Sequence, residues 1–391
     1  MEVKNYRYKL LCLMSLFFAS GMCNMLLGQE KDIAGFEINL DQDYFADFVR
    51  SGDNFDNNYA VAMRIGFYGA YANHDFLGAP WVRKRIDRFL FDNMLYSKGF
   101  NEEKESHNFA FVINGFSPSI ISDQTNSFLL ATALGYDPAM DRPFSSFTGI
   151  RSTRRLEGSK RFVHSANVVD LALTTSFSFG IMSLGTGRAI ENLLGRNRPD
   201  GNLWNKDDTK PYPTGQLIPT GIPMFMYSIS AEAVVWRPVK KVLFQVRPEI
   251  NLGSYTNLGI GIDFGKVMNV ERHIDNLGYT DLNNPGLIVV NNDNLGLSIV
   301  SGATARVVFY NAHLNGLYGA SRREAIGFGD MKKFVFEYYV GVKLQLFKKV
   351  EFSYSFNRRT AEFTGEAMKA PFWGTFGFKF LLAPEGEGCY D

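Results

Sequence analysis

The sequence predicts an all-β protein: a transmembrane antiparallel β-barrel of about 12 strands, with long loops carrying short helices. Three observations predict it: two-residue alternation in the last strands, runs long enough to cross a bilayer, and an N-terminal export signal. Between Phe334 and Leu346 one row is Phe334, Phe336, Tyr338, Val340, Val342, Leu344 and Leu346. The other row holds Glu337, Tyr339, Gly341, Lys343 and Gln345. Such a segment has one apolar and one polar face. The pattern returns at Val350, Phe352, Tyr354 and Phe356, and again at Phe372, Phe376, Phe378 and Phe380 against Trp373, Thr375 and Lys379. Only Phe347-Lys348-Lys349 separates the first two runs, so they read as a hairpin.

A half-polar sheet can pack on a second sheet or turn its apolar face to lipid. Length decides between them. Sandwich strands average about 5–6 residues, whereas a tilted membrane strand needs about 9–11, and these runs reach that far. Their Phe, Tyr and Trp content also suits the aromatic girdles of outer-membrane barrels.

The 391 residues are 46% hydrophobic and 15% aromatic, with mean hydropathy −0.12. No run of about 20 apolar residues follows the N-terminal region, which excludes a helical membrane protein. A barrel stays near neutral hydropathy because alternate residues face a polar lumen. The 41 basic and 40 acidic residues leave a net charge of +1. Nucleic-acid binding needs a basic excess, so no such partner is expected; no protein partner is evident, and a monomer is expected.

Lys4, Arg7 and Lys9 precede the apolar run Leu10 to Leu27, with Gly28-Gln29 as a cleavage point. This reads as a secretory signal over residues 1–28, followed by a barrel over 29–382 and a tail over 383–391. Removal of the signal leaves Cys389 as the one thiol, so no intrachain disulfide is expected. The compartment expected is the outer membrane of a Gram-negative bacterium.

Strand starts fall near residues 34, 58, 107, 143, 163, 224, 241, 256, 297, 332, 349 and 370. An even number suits closure, which removes exposed edges. Three connections are too long for turns: 73–105, 180–222 and 266–296. The first has helical spacing from Val82 to Leu90 with a basic face, read as a solvated loop helix. The second carries Arg188, Arg196, Arg198 and Lys206; with Arg50 and Arg64 these could form an anion-binding face. The glycines from Gly253 to Gly265 mark close packing or bends in the wall. Histidines able to act as a general base are His74, His107, His164, His273 and His313.

Several segments, in order, resemble the outer-membrane lipid A 3′-O-deacylase family. They are Leu40-Asp41-Gln42-Asp43-Tyr44-Phe45 with Asp56-Asn57-Asn58-Tyr59, then Asp141-Arg142-Pro143-Phe144, then Gly180 to Arg196. Asn311-Ala312-His313-Leu314-Asn315-Gly316 and Glu362-Phe363-Thr364-Gly365 follow. The resemblance spans nearly the whole mature chain.

It implies a twelve-stranded outer-membrane barrel that hydrolyses the 3′-acyloxyacyl ester of lipid A, a component of lipopolysaccharide, with calcium as cofactor. Asp43 matches the family's acid, and Gln42 stands where the family has Asn. Ala60, in Tyr59-Ala60-Val61-Ala62, takes a polar position of that family's second strand. Asn192 and Arg196 align with its Gln-x-x-x-His helix. One helical turn still puts that pair on one face, but Arg does not give up its proton and is no base. Arg196 and Arg188 therefore read as ligands for lipid phosphate. Three functions stay open: ester hydrolysis, binding of lipopolysaccharide or another anionic glycolipid without cleavage, and a pore or structural barrel.

Overall fold

The computed structural model describes residues 35–42, 61–93, 104–116, 145–161, 168–182, 222–239, 242–265, 290–292, 295–316, 326–347, 350–364 and 372–381. The strands are β1 (Gly35–Gln42), β2 (Val61–Tyr68), β3 (Lys104–Phe116), β4 (Ser145–Arg161), β5 (Val168–Met182), β6 (Ile222–Val239) and β7 (Val242–Gly253). They continue as β8 (Tyr255–Gly265), β9 (Val290–Asn292), β10 (Leu295–Asn311), β11 (Phe334–Leu346), β12 (Val350–Arg359) and β13 (Phe372–Leu381). Helix α1 spans Ala79–Asn93 and α2 spans Ala312–Asn315.

Each strand pairs antiparallel with its sequence neighbours, apart from β9. The ring shuts where β13 meets β1, from Gly35 opposite Leu381 to Gln42 opposite Gly374. The three-residue β9 lies outside it, pairing with Leu295 to Leu297 of β10 beyond the reach of β8. The remaining strands form the twelve-stranded barrel that the alternation predicts. Closure gives each ring strand a hydrogen-bonded neighbour on both sides, the condition for crossing a bilayer. Long loops of such barrels lie outside the cell. We call the end where β1 starts and β13 finishes the near rim; at the opposite, far rim β3 ends and β4 begins, β5 ends and β6 begins, and β10 ends and β11 begins.

The pleat sorts side chains as the sequence suggests. In β11, Phe334, Phe336, Tyr338, Val340 and Val342 are exposed on the outer face, while Val335, Glu337, Tyr339, Gly341 and Lys343 are buried inside. The lumen is crossed by a chain of opposite charges. Arg247 lies 3.4 Å from Asp263 and 3.5 Å from Glu249. Arg306 Nε donates to Glu249 at 2.6 Å and its Nη1 to Glu337 at 3.2 Å. Arg359 Nε donates to Glu337 at 2.7 Å. Across the ring, Glu37 accepts from Arg64 and Tyr68, and Arg155 pairs with Glu232 at 2.9 Å. Breaking one such buried pair costs about 3–5 kcal/mol, because it strands a charge.

Toward the far rim the lumen becomes apolar. Phe147, Met224, Met226, Leu314, Met331 and Phe363 are all buried in one cluster, which forms an apolar plug at that end.

Helix α1 is half-buried rather than solvated, and it sits on the outside of the wall. Ala79, Val82, Ile86 and Leu90, on one face, pack against Phe109, Ile150, Phe177, Tyr227 and Ile229. Phe109, Phe177 and Tyr227 share the outer face with exposed Phe111, Phe179 and Phe225, two residues along each strand. Arg83 and Asp87 lie on the same helix face. Asp87 accepts from Tyr227 Oη at 2.6 Å and Thr175 Oγ1 at 3.1 Å, and Arg83 Nε donates to Ser152 Oγ at 3.1 Å. The basic face seen in sequence is thus divided: Arg83 turns to the wall, while Arg85 and Arg88 stay exposed.

Candidate functional site at the far rim

β1 delivers its last residues to the far rim between β2 and β13. Asp41 lies opposite Ala62 on one side and Thr375 on the other, and its side chain is buried. Asn114 faces Ala62 from β3 and is also buried. Asn357 Nδ2 donates to Thr375 Oγ1 at 2.9 Å, and Arg359 lies 5.6 Å over the ring of buried Trp373. The end of β1 is therefore backed by a packed polar wall. Gln42 pairs with Gly374 as the last residue of the strand. Asp43, Ala60, Arg188, Asn192 and Arg196 lie outside the described residues, as do Arg50, Arg198, Lys206, His164, His273 and Cys389. Arg64 is no part of an anion-binding face: it is buried in the lumen against Glu37, a pairing that matched charges on adjacent strands impose.

The Asn311 to Gly316 segment is a tight turn folded into the barrel mouth. Asn311 Oδ1 accepts from the His313 N–H at 3.0 Å, capping α2, and Asn315 Oδ1 accepts from the Asn311 N–H at 3.1 Å. Asn315 Nδ2 reaches Ile326 O at 2.7 Å, and Tyr310 Oη donates to Gly316 O at 2.5 Å. Gly316 has φ 66°, left-handed space that favours glycine. Glu362 and Thr364 tie the last loop to this one: Lys332 N–H donates to Glu362 O at 2.7 Å and Thr364 N–H to Asp330 O at 2.6 Å. These two segments are architecture for the far rim.

The described histidines separate by position. His74 caps a short turn at the near rim, accepting from Phe76 N–H at 3.5 Å. His107 is on the outer face beside Glu105 at 3.1 Å. His313 alone among them lies at the far rim, with Nδ1 3.0 Å from Ser145 Oγ. A hydroxyl next to an imidazole has the composition of a nucleophile and base. Here both are buried among apolar neighbours, so the pair locks β4 to α2. Ser145 escaped sequence reasoning because it stands 168 residues from His313, and its one local signal is a serine just after Pro143-Phe144. Among the described residues no three His, Cys, Asp or Glu side chains gather as a metal would need.

Fold and rim together define an outer-membrane β-barrel of a Gram-negative bacterium, with a filled interior. Its particular resemblance is to one family: the family model described as "Outer membrane protein LpxR" matches residues 240–382. The chain is similar in structure to LpxR from Salmonella typhimurium, with TM-score 0.54 and 16% identity over 89% of this chain and 99% of that one. Weaker likenesses are the β domain of the Bordetella autotransporter BrkA (TM-score 0.34, 8% identity, 89% of this chain and 99% of that one) and outer membrane phospholipase A from Escherichia coli (TM-score 0.30, 10% identity, 89% and 96%). A search of curated proteins found no match.

Proposed function

We propose that this barrel hydrolyses an acyl ester of lipid A, acting at the far rim where β1 ends. The observation that carries the reading is the position of Gln42. It closes β1 at the far rim, paired with β13, immediately before Asp43, the residue that matches the family's acid. That rim opens to the leaflet holding lipopolysaccharide. The match of the last third of the chain to the LpxR model supports the same reading.

Hydrolysis adds water across the ester: the water oxygen bonds to the acyl carbon, the sugar oxygen leaves with a proton, and a free acid and a sugar hydroxyl result. Asp43 supplies the carboxylate that orients the water. Arg196 stays protonated, so its role is to hold a lipid phosphate by charge-assisted hydrogen bonds. The filled lumen suits a wall site better than a channel. Incubation of the purified barrel with lipid A, with calcium or chelator present, tests the proposal: released acyl acid that disappears in Asp43→Ala supports it, and intact lipid A in both solutions rejects it. The Arg at the aligned base position favours a second reading, retention of the lipid without cleavage, which predicts salt-sensitive binding lost in Arg196→Ala.

A further inference from the structure

The outer face of α1 has no role in a site at the far rim, and it has a distinct composition. Opposite the packed Ala79, Val82, Ile86 and Leu90, the helix exposes Trp81, Arg85 and Arg88, with Phe89 beside them. Phe76, in the turn just before α1, is 62% exposed and Phe89 64%. Arg85 lies 5.4 Å over the Trp81 ring. Phe67, on the outer wall, meets Tyr71 at 5.8 Å, and Tyr71 meets Phe76 at 5.5 Å. A ribbon of rings thus runs from the lipid-facing wall to the helix.

Polar outer positions underneath, Ser152, Arg154 and Thr175, mark where the wall leaves hydrocarbon, since such side chains on a lipid face are costly. Phe111, Phe179 and Phe225, each two residues nearer the far rim than the helix-covered Phe109, Phe177 and Tyr227, are open. The helix therefore lies along the border between hydrocarbon and water, in the leaflet on the side of the near rim. Aromatic rings mixed with arginine are the composition that seats in a headgroup layer, and Arg adds attraction to anionic headgroups.

We infer that α1 is a lipid-binding foot: its Trp81–Arg85–Arg88 face, flanked by Phe76 and Phe89, docks on anionic phospholipid headgroups of the leaflet opposite the candidate site. The alternation of the strands anchors the barrel by hydrocarbon, and the foot adds a charge-selective contact at one fixed height.

The test uses the full mature chain with Cys389→Ser and Phe89→Cys, carrying a fluorescent label at position 89. It is reconstituted in phosphatidylethanolamine–phosphatidylglycerol vesicles or in phosphatidylcholine vesicles, each with lipids bearing a quencher near the headgroup. Strong quenching in the anionic vesicles, reduced in phosphatidylcholine and reduced by Arg85→Glu with Arg88→Glu, is the expected result. A heat-modifiable band on a gel verifies that each variant has folded, and both arginines are surface residues outside the wall contacts. A label left unquenched in anionic vesicles, whether in water or under a second copy of the chain, overturns the inference. Quenching unaffected by lipid charge and by both substitutions also overturns it, leaving only apolar contact.

Discussion

Glu249 and Arg306 meet across an intervening strand. Their carboxylate and guanidinium come within 2.6 Å over Gly259 of β8, which lies opposite both residues in register. A Cβ at Gly259 would stand 2.8 Å from the Glu249 side chain and 3.1 Å from that of Arg306. Gly261 does the same for Arg247, whose Nη2 donates to Thr304 at 3.1 Å. Glycines in the wall are thus spaces through which the charge chain is threaded.

Gly259→Ala should therefore destabilise the barrel by about 1–3 kcal/mol, the cost of overpacking a filled interior. Gly329→Ala, where a Cβ meets nothing within 4 Å, should be neutral. Urea unfolding followed by gel mobility compares the two, and equal midpoints would contradict the packing argument.

Glu337 is the hub of the chain, accepting from both Arg306 and Arg359. Glu337→Ala leaves two buried guanidinium groups short of an anion, so the loss should be about 3–5 kcal/mol. Glu351, half-exposed beside Lys343 at 3.3 Å, lies nearer the near rim. Its replacement by Ala should cost less, as equilibrium unfolding of both variants will show.

Asp87 fastens α1 to the wall through Tyr227 and Thr175, with Arg154 3.8 Å away, and pairs with Arg83 of its own helix. Asp87→Ala should release the helix while the ring stays shut. Limited proteolysis should then cut within residues 69–103 faster than in the parent, with the heat-modifiable band retained. Unchanged cleavage would mean that the apolar face alone holds the helix.

His313 is placed as a lock between β4 and α2, so His313→Gln, which keeps a polar group near Ser145, should preserve any lipid A hydrolysis and lower thermal stability. Abolished turnover in a folded His313→Gln barrel would instead make the Ser145–His313 pair part of the chemistry.

The twelve ring strands were legible because alternation is a local signal: Phe334 to Leu346 declares its two faces without reference to any partner. The helix from Val82 to Leu90 was equally local. Its seat was not, because Arg83 and Asp87 read as a solvated face until Ser152, Thr175 and Tyr227 are brought beneath them. The glycines at 259 and 261 announced close packing, while the residues packed through them lie on other strands. Of the candidate site, the motifs around Asn311 and Glu362 were visible as patterns, but their function in capping and stapling loops appears only from backbone partners. Arg64 reads as a possible anion ligand because its partner Glu37 lies on the neighbouring strand, 27 residues away, and such pairing between strands leaves no mark in local sequence spacing.

Removal of an acyl group from lipid A is the activity proposed for this barrel. Mass spectrometry of lipid A from cells with and without the chain, grown with calcium, tests it most directly. Cells carrying the chain should yield a species lighter by one acyl or acyloxyacyl group, and that species should be lost when Asp43→Ala replaces the parent. Identical spectra with the parent barrel folded in the outer membrane would contradict it.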